Sequence, residues 1–168
     1  MRAQLLLGSA VAVVLLGSAR AGEVIKKQDV PGRIRLLKLA GDPKVRAKAA
    51  EELGRRGEVK APDVIEAHEP LRNALAKDRT AEVRTAAAVA LGRIAAEPKE
   101  NVPALMEALK DKSDAVKMAA ARALGQFGVE ARPAVEALRE LAKVTQKGKN
   151  KKLAQVAMQA VKMINVKK

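Results

Sequence analysis

The chain of 168 residues has no cysteine, tryptophan or tyrosine, a single phenylalanine and a single histidine. Without cysteine there is no disulfide, thiol nucleophile or thiolate ligand, so packing alone must specify the fold. One histidine, His68, gives no raw material for a Cys–His pair, a Ser–His–Asp set with a histidine to spare, or a histidine-built zinc site. The carboxylates do not fill the gap. Glu51 and Glu52 are neighbours that point about 100° apart on a helix, and Asp63, Glu66 and Glu69 fall in a charged stretch typical of solvated loops. A non-catalytic protein is therefore expected, with no cofactor, no metal and no small-molecule substrate. His68, next to Glu69 and just before Pro70, reads as a surface or capping residue.

Long apolar runs are scarce too. The one that stands out, residues 5–17, is interrupted by Gly8 and Ser9 and falls short of the roughly 20 residues a membrane span requires. It follows Arg2 and leads to Ala19-Arg20-Ala21, the small-x-small pattern of a secretory cleavage site. The expectation is a signal peptide over 1–21, a short linker over 22–29, and export to the periplasm or the cell exterior. No cysteine follows the run, so a lipid-modified N-terminus of the bacterial lipoprotein kind is not expected. Acid is the last deficiency. Net charge is +14, and no aspartate or glutamate follows Glu140, whereas eight lysines do.

What is abundant is Ala, Leu, Lys, Arg and Glu, the composition of helices packed through small side chains, and it points to an all-α fold. The sequence repeats itself. Asp42-Pro43-Lys44-Val45-Arg46, then Ala49-Ala50 and Leu53-Gly54, returns as Thr80-Ala81-Glu82-Val83-Arg84, Ala87-Ala88, Leu91-Gly92. It returns again as Ser113-Asp114-Ala115-Val116-Lys117, Ala120-Ala121, Leu124-Gly125, and more weakly as Asn150-Lys151-Lys152-Leu153, Ala157-Met158, Val161-Lys162. Asp42, Thr80, Ser113 and Asn150 are all N-cap residue types, three positions before the first apolar residue. From each cap an apolar stripe runs at i, i+4 and i+8, with alanine always in the middle, where a small side chain lets a neighbouring helix come close. Gly57 and Gly128 fall where a left-handed helix stop is wanted. Partner helices are read over 31–40, 69–77, 101–110 and 131–143, with Pro31, Pro70, Pro103 and Pro133 at or near their starts. Helix pairs over about 31–57, 62–95, 101–128 and 131–165 follow, within a repeat domain of 30–168. Residues 58–68 are an insertion, and 146–152 reads as a loop inside the last pair.

This pattern, with Pro103-Ala104-Leu105 and Ala108-Leu109 ahead of it, resembles the HEAT-like repeats of the phycobilisome-lyase type over roughly 30–165. The resemblance implies a right-handed α-solenoid with the second helices lining its concave side, and a scaffold or adaptor role. It also implies that the basic residue of each repeat, Arg46, Arg84 and Lys117, pairs with acids on the adjoining repeat, and Asp42, Glu82 and Asp114 are read as placed to do that. The fourth copy lacks the Asp-Pro, the Arg and the Gly, and it reads as a terminal cap.

Counting 100° per residue from each stripe puts Thr85, Val89 and Arg93, then Met118, Arg122 and Gln126, then Gln155, Gln159 and Met163 away from the core. The first eight of these are the candidate residues for binding an unidentified partner protein, expected in the cell envelope. Val89 and Met118 are the apolar ones, although scattered exposed apolar residues are ordinary on any surface. The alternative is attachment to an anionic surface of lipid, polysaccharide or nucleic acid through Lys147, Lys149, Lys151, Lys152, Lys162, Lys167 and Lys168. The lack of aromatics to stack on bases weighs against nucleic acid.

Overall fold

A computed structural model describes residues 30–165 except 60 and 149; the signal-peptide and linker segments, Lys149, Lys167 and Lys168 lie outside the described residues. Among the described residues eight α-helices follow one another: α1 (Val30–Leu39), α2 (Pro43–Val59), α3 (His68–Lys77), α4 (Ala81–Ile94), α5 (Pro98–Ala108), α6 (Asp114–Phe127), α7 (Val135–Lys147) and α8 (Lys151–Asn165). A 3-10 segment kinked at Val64, Ala61–Ala67, bridges the first pair to the second, and a 3-10 helix, Gly128–Ala134, bridges the third pair to the fourth. Among the described residues there is no strand. Each odd-numbered helix packs against the even-numbered one that follows, and the even-numbered helices stack in series, α2 on α4, α4 on α6 and α6 on α8. The result is an all-α solenoid of four helix pairs.

The stripe residues form the core. Ala49, Leu53, Val83, Ala87, Leu91, Val116, Ala120, Leu124, Leu153 and Ala157 are all essentially inaccessible to solvent. Each fully buried leucine contributes roughly 1.5–3 kcal/mol relative to exposure. Val45 departs from the stripe and stays 38% exposed, since no earlier pair lies over the first turn of α2 among the described residues.

Successive second helices meet at glycine. A Cβ on Gly54 would lie 2.7 Å from the Cα of Ala90, one on Gly92 2.7 Å from the Cα of Ala123, and one on Gly125 3.3 Å from the Cα of Ala160. The Leu-Gly of each repeat is therefore a leucine for the core followed by a bare backbone for the next repeat. Gly57 has a similar role and is not a helix stop. It lies inside α2, and a methyl there would strike Ile94 and Val64. The insertion after α2 thus sits down on the stack through Val64, which is fully buried. Gly128 does end α6 with a positive φ of 57°.

Side-chain caps form at Asp42 and Asn150. The Asp42 carboxylate accepts the Lys44 N–H at 2.8 Å and the Asn150 amide oxygen accepts the Leu153 N–H at 3.1 Å. Thr80 and Ser113 hold the N-cap positions in extended backbone, but their side chains make no cap bond. Aspartates two residues earlier take over the turn: Asp78 accepts the N–H and the hydroxyl of Thr80, at 2.9 and 2.7 Å, and Asp111 accepts the N–H of Ser113 at 2.8 Å. Two starts also move. Pro98 begins α5 and leaves Pro103 inside it, while Pro133 falls in the 3-10 turn before α7. The last pair is joined by residues 148–150 alone, because Gln146 still belongs to α7 and Lys151 already opens α8.

Candidate functional site

The basic residue after each stripe valine is built into the framework. Arg46 holds Asp78 of the following pair through Nε at 2.7 Å and Nη2 at 3.0 Å, while its Nη1 donates to the carbonyls of Ala40 and Gly41 in its own pair. Arg84 repeats the arrangement one pair later, with Asp111 at 2.7 and 2.9 Å and the carbonyls of Asp78 and Arg79. A planar guanidinium suits this task, since its fork meets a carboxylate in two places and still has a nitrogen to donate elsewhere. The acids are therefore Asp78 and Asp111, not Asp42 or Glu82. The Arg46 guanidinium, with help from Thr80, holds the Asp78 carboxyl down at about 2 against the cost of burial, and Arg84 lowers Asp111 in the same way. At the third step the ladder changes form. Lys117 pairs with Asp114 on its own helix at 2.6 Å, and Asn150 of the last pair donates to the same carboxylate at 2.6 Å. The sequence signal for the missed acids is Asp-x-Thr and Asp-x-Ser, two residues before each cap.

His68 is buried, not on the surface. It is the first residue of α3, with Nδ1 2.8 Å from the Glu97 carboxylate. Arg72 donates to Glu97 at 3.0 Å and to Asn101 at 2.9 Å, and Asn101 donates to the carbonyl of Ala96 at 2.7 Å. Arg72 and then His68 draw the Glu97 carboxyl below its ordinary range. This cluster ties down the connection from α4 to α5, where Ala95 and Glu97 both take positive φ, 45° and 48°. Its role is structural: it fixes a strained link between pairs.

Thr85, Val89 and Arg93 line a groove of about 600 Å³ between α2, α4 and the start of α6. Glu51 and Arg55 of α2 form its other wall, Glu82 one rim, and Ala86 and Ala115 part of the apolar lining. Glu51 and Arg55 occupy in α2 the repeat positions that Val89 and Arg93 occupy in α4, so the alignment of copies would have found them. Thr85 donates its hydroxyl to the carbonyl of Ala81 at 2.7 Å. On α6, Arg122 and Gln126 are exposed and Met118 is half-buried against the core; on α8, Gln155 and Gln159 are exposed. Of the lysines, Lys151, Lys152 and Lys162 are exposed along α8. No group of three or more His, Asp and Glu side chains among the described residues is placed to hold a metal ion, and no helix of the described residues is long and apolar enough to cross a membrane.

Comparison with known proteins bears on the repeats. No curated protein matches the sequence. A solved crystal structure described as that of an engineered protein is similar to this chain, with a TM-score of 0.61 at 24% identity over 82% of this chain and 63% of that one. The chain thus spans less than two thirds of that protein, and the likeness concerns the fold. The family profile described as HEAT repeats matches residues 30–99 and 68–161. Those segments contain the capped second helices, the glycine contacts and both arginine–aspartate rungs, and by them this chain belongs to the HEAT-repeat family.

Proposed function

We propose that this protein is an exported, non-catalytic scaffold that binds a partner protein across the face formed by its second helices. HEAT repeats commonly serve as protein-interaction scaffolds, and the observation that carries the reading to this surface is the groove lined by Thr85, Val89 and Arg93. Its wall offers an apolar strip, Val89 with Ala86 and Ala115, flanked by Glu51 and Glu82 and by Arg55 and Arg93. Such a surface, an apolar strip between charges of both signs, suits recognition of a side-chain pattern on a partner. The ion pair between Arg93 and Glu58 is long, 4.0 Å, and partly exposed, so Arg93 exchanges it for a partner carboxylate at little cost. Export rests on the apolar run and the Ala19-Arg20-Ala21 site.

The test is site-specific photo-crosslinking in the native cell, with the reactive group at Gln126 beside the groove or at Lys99 on α5. A discrete crosslinked protein is expected from Gln126 and not from Lys99, and it should vanish when Arg93→Glu and Arg122→Glu are introduced together. Equal crosslinking from both positions would remove the groove from consideration. N-terminal sequencing of the chain recovered from the envelope should begin at Gly22; an intact Met1 in a cytoplasmic fraction would refute export.

A further inference from the structure

The four pairs do not present equivalent outer faces. At the position where Gly54, Gly92 and Gly125 admit the next helix, α8 carries Lys162; where Ala50, Ala88 and Ala121 are completely buried, it carries Met158, 43% exposed; and where Arg46 and Arg84 reach forward to the next pair, it carries Ala154. A lysine in place of a glycine prevents a further helix from approaching as closely as α4 approaches α2. The α7–α8 end of the stack is therefore not shaped for another repeat of the same kind. It is not a flat cap either, because a cleft of about 610 Å³ opens there between α7 and α8. Met158 gives the cleft an exposed apolar side chain over the buried Ala142 and Ala154, Gln146 and Gln155 add polar lining, and Arg139, Lys143 and Lys151 surround it with no acid among the lining residues. Arg139 is engaged by Glu136 at 2.8 Å and Lys143 approaches Glu140 at 3.9 Å, both as exposed pairs one turn apart on α7, which contribute little and exchange readily. Lys151 has no acidic partner among the described residues, and no acid follows Glu140 in the sequence.

We propose that this cleft is a second docking site, for an acidic amphipathic peptide segment of a partner protein, whose apolar side chain rests on Met158 while its carboxylates meet Lys143, Lys151 and Arg139. Charge complementarity selects the acid, and the concave apolar lining selects a peptide over a flat anionic membrane, which would meet the lysines without entering the cleft. The site stands apart from the groove between α2 and α4, and neither requires the other.

The experiment is a fluorescence-anisotropy titration of the whole chain with two labelled peptides of equal negative charge, one of glutamates interrupted by leucine every third or fourth residue and one with serine in place of each leucine. The leucine peptide should bind and the serine peptide should bind at least about tenfold more weakly. Joint Lys143→Glu and Lys151→Glu substitution should weaken the leucine peptide by about tenfold or more, and Met158→Gln alone should narrow the gap between the two peptides. Joint Lys99→Glu and Lys112→Glu substitution, the same charge change elsewhere on the surface, should alter binding less than about twofold. All the substituted residues are exposed, and unchanged helical circular dichroism confirms folding. Equal affinity for the two peptides, an equal loss from both charge pairs, or no binding by either peptide would overturn the proposal. So would phosphatidylserine vesicles that bind the chain with the same dependence on Lys143, Lys151 and Met158, which would assign the cleft to a lipid surface.

Discussion

At the scale of single residues, the two arginine rungs are the interactions most exposed to a decisive test. Arg84 and Asp111 are both largely buried, with side chains 7% and 13% accessible, so removing one leaves the other uncompensated. Arg84→Ala should cost about 3 kcal/mol in urea unfolding, and Arg84→Lys should recover only part of it because an ammonium cannot span the two carboxylate oxygens and the loop carbonyls together. A double-mutant cycle with Asp111→Ala should show strong coupling; additive losses would mean that the rung contributes nothing as a pair. Asp78 supplies part of the acid dependence, alongside Asp111 and Glu97, whose carboxyls are also lowered. The folded pKa of Asp78 lies below its unfolded value, so the unfolded chain takes up the proton first; the contribution is complete above the usual carboxylate range and is lost as the pH falls through it towards about 2. The loss is on the order of 2 kcal/mol, and Asp78→Asn should flatten the decline in unfolding midpoint across that window. Arg46 and Arg84 are conspicuous in the sequence as repeated basic residues. Their partners are not, because Asp78 and Asp111 lie 32 and 27 residues away and only the stacking of pairs brings them close.

At the scale of the helices, what repeats is a contact distance as much as a residue. Gly54→Ala and Gly92→Ala should each lower stability by about 1–3 kcal/mol despite the better helix propensity of alanine, since the added carbon meets the backbone of the next helix. Gly125→Ala should cost clearly less, because its nearest neighbours are the Met163 sulfur at 3.2 Å and the Ala160 Cα at 3.3 Å, and a methionine side chain can yield. The order of the three thermal midpoints is the measurement, and a uniform loss would contradict the geometry. The link from α4 to α5 gives a change of opposite sign. Ala95 is exposed and held at φ 45°, so Ala95→Gly should raise stability by about 0.5–1 kcal/mol, the relief of left-handed strain exceeding the added entropy of the unfolded chain. The helices themselves were legible from caps and stripes. The fates of Gly57 and His68 were not, since each depends on how the insertion folds back: Val64 settles over Gly57, and His68 is enclosed next to Glu97.

For the whole molecule, the two end faces matter as much as the repeats. Lys48 and Glu52 of α2 occupy the positions at which later second helices present Ala86 and Ala90, then Ala119 and Ala123, to the pair before them, and Glu52 is held by Arg33 at 2.9 Å. Lys162 and Met158 make the matching departures at the other end. Replacing Lys162 and Met158 with Gly and Ala, together with Lys48 and Glu52 with Ala at the other end, should restore two matching repeat-like faces and promote head-to-tail self-association, read as a rise in sedimentation coefficient with concentration; a fourfold variant that stays unchanged would show that these residues are not what closes the ends. The amino-acid sequence by itself determined the all-α class, the helix pairs and their repeat, and the expectation of binding without catalysis, because caps, stripes and missing residue types are local or compositional facts. The tertiary structure alone decided which acids the arginines grip, that Gly57 and His68 are interior, and that two clefts of similar size open at different places on the stack. Those outcomes depend on how far one helix lies from another, and that distance is set by the packing of residues far apart in the chain.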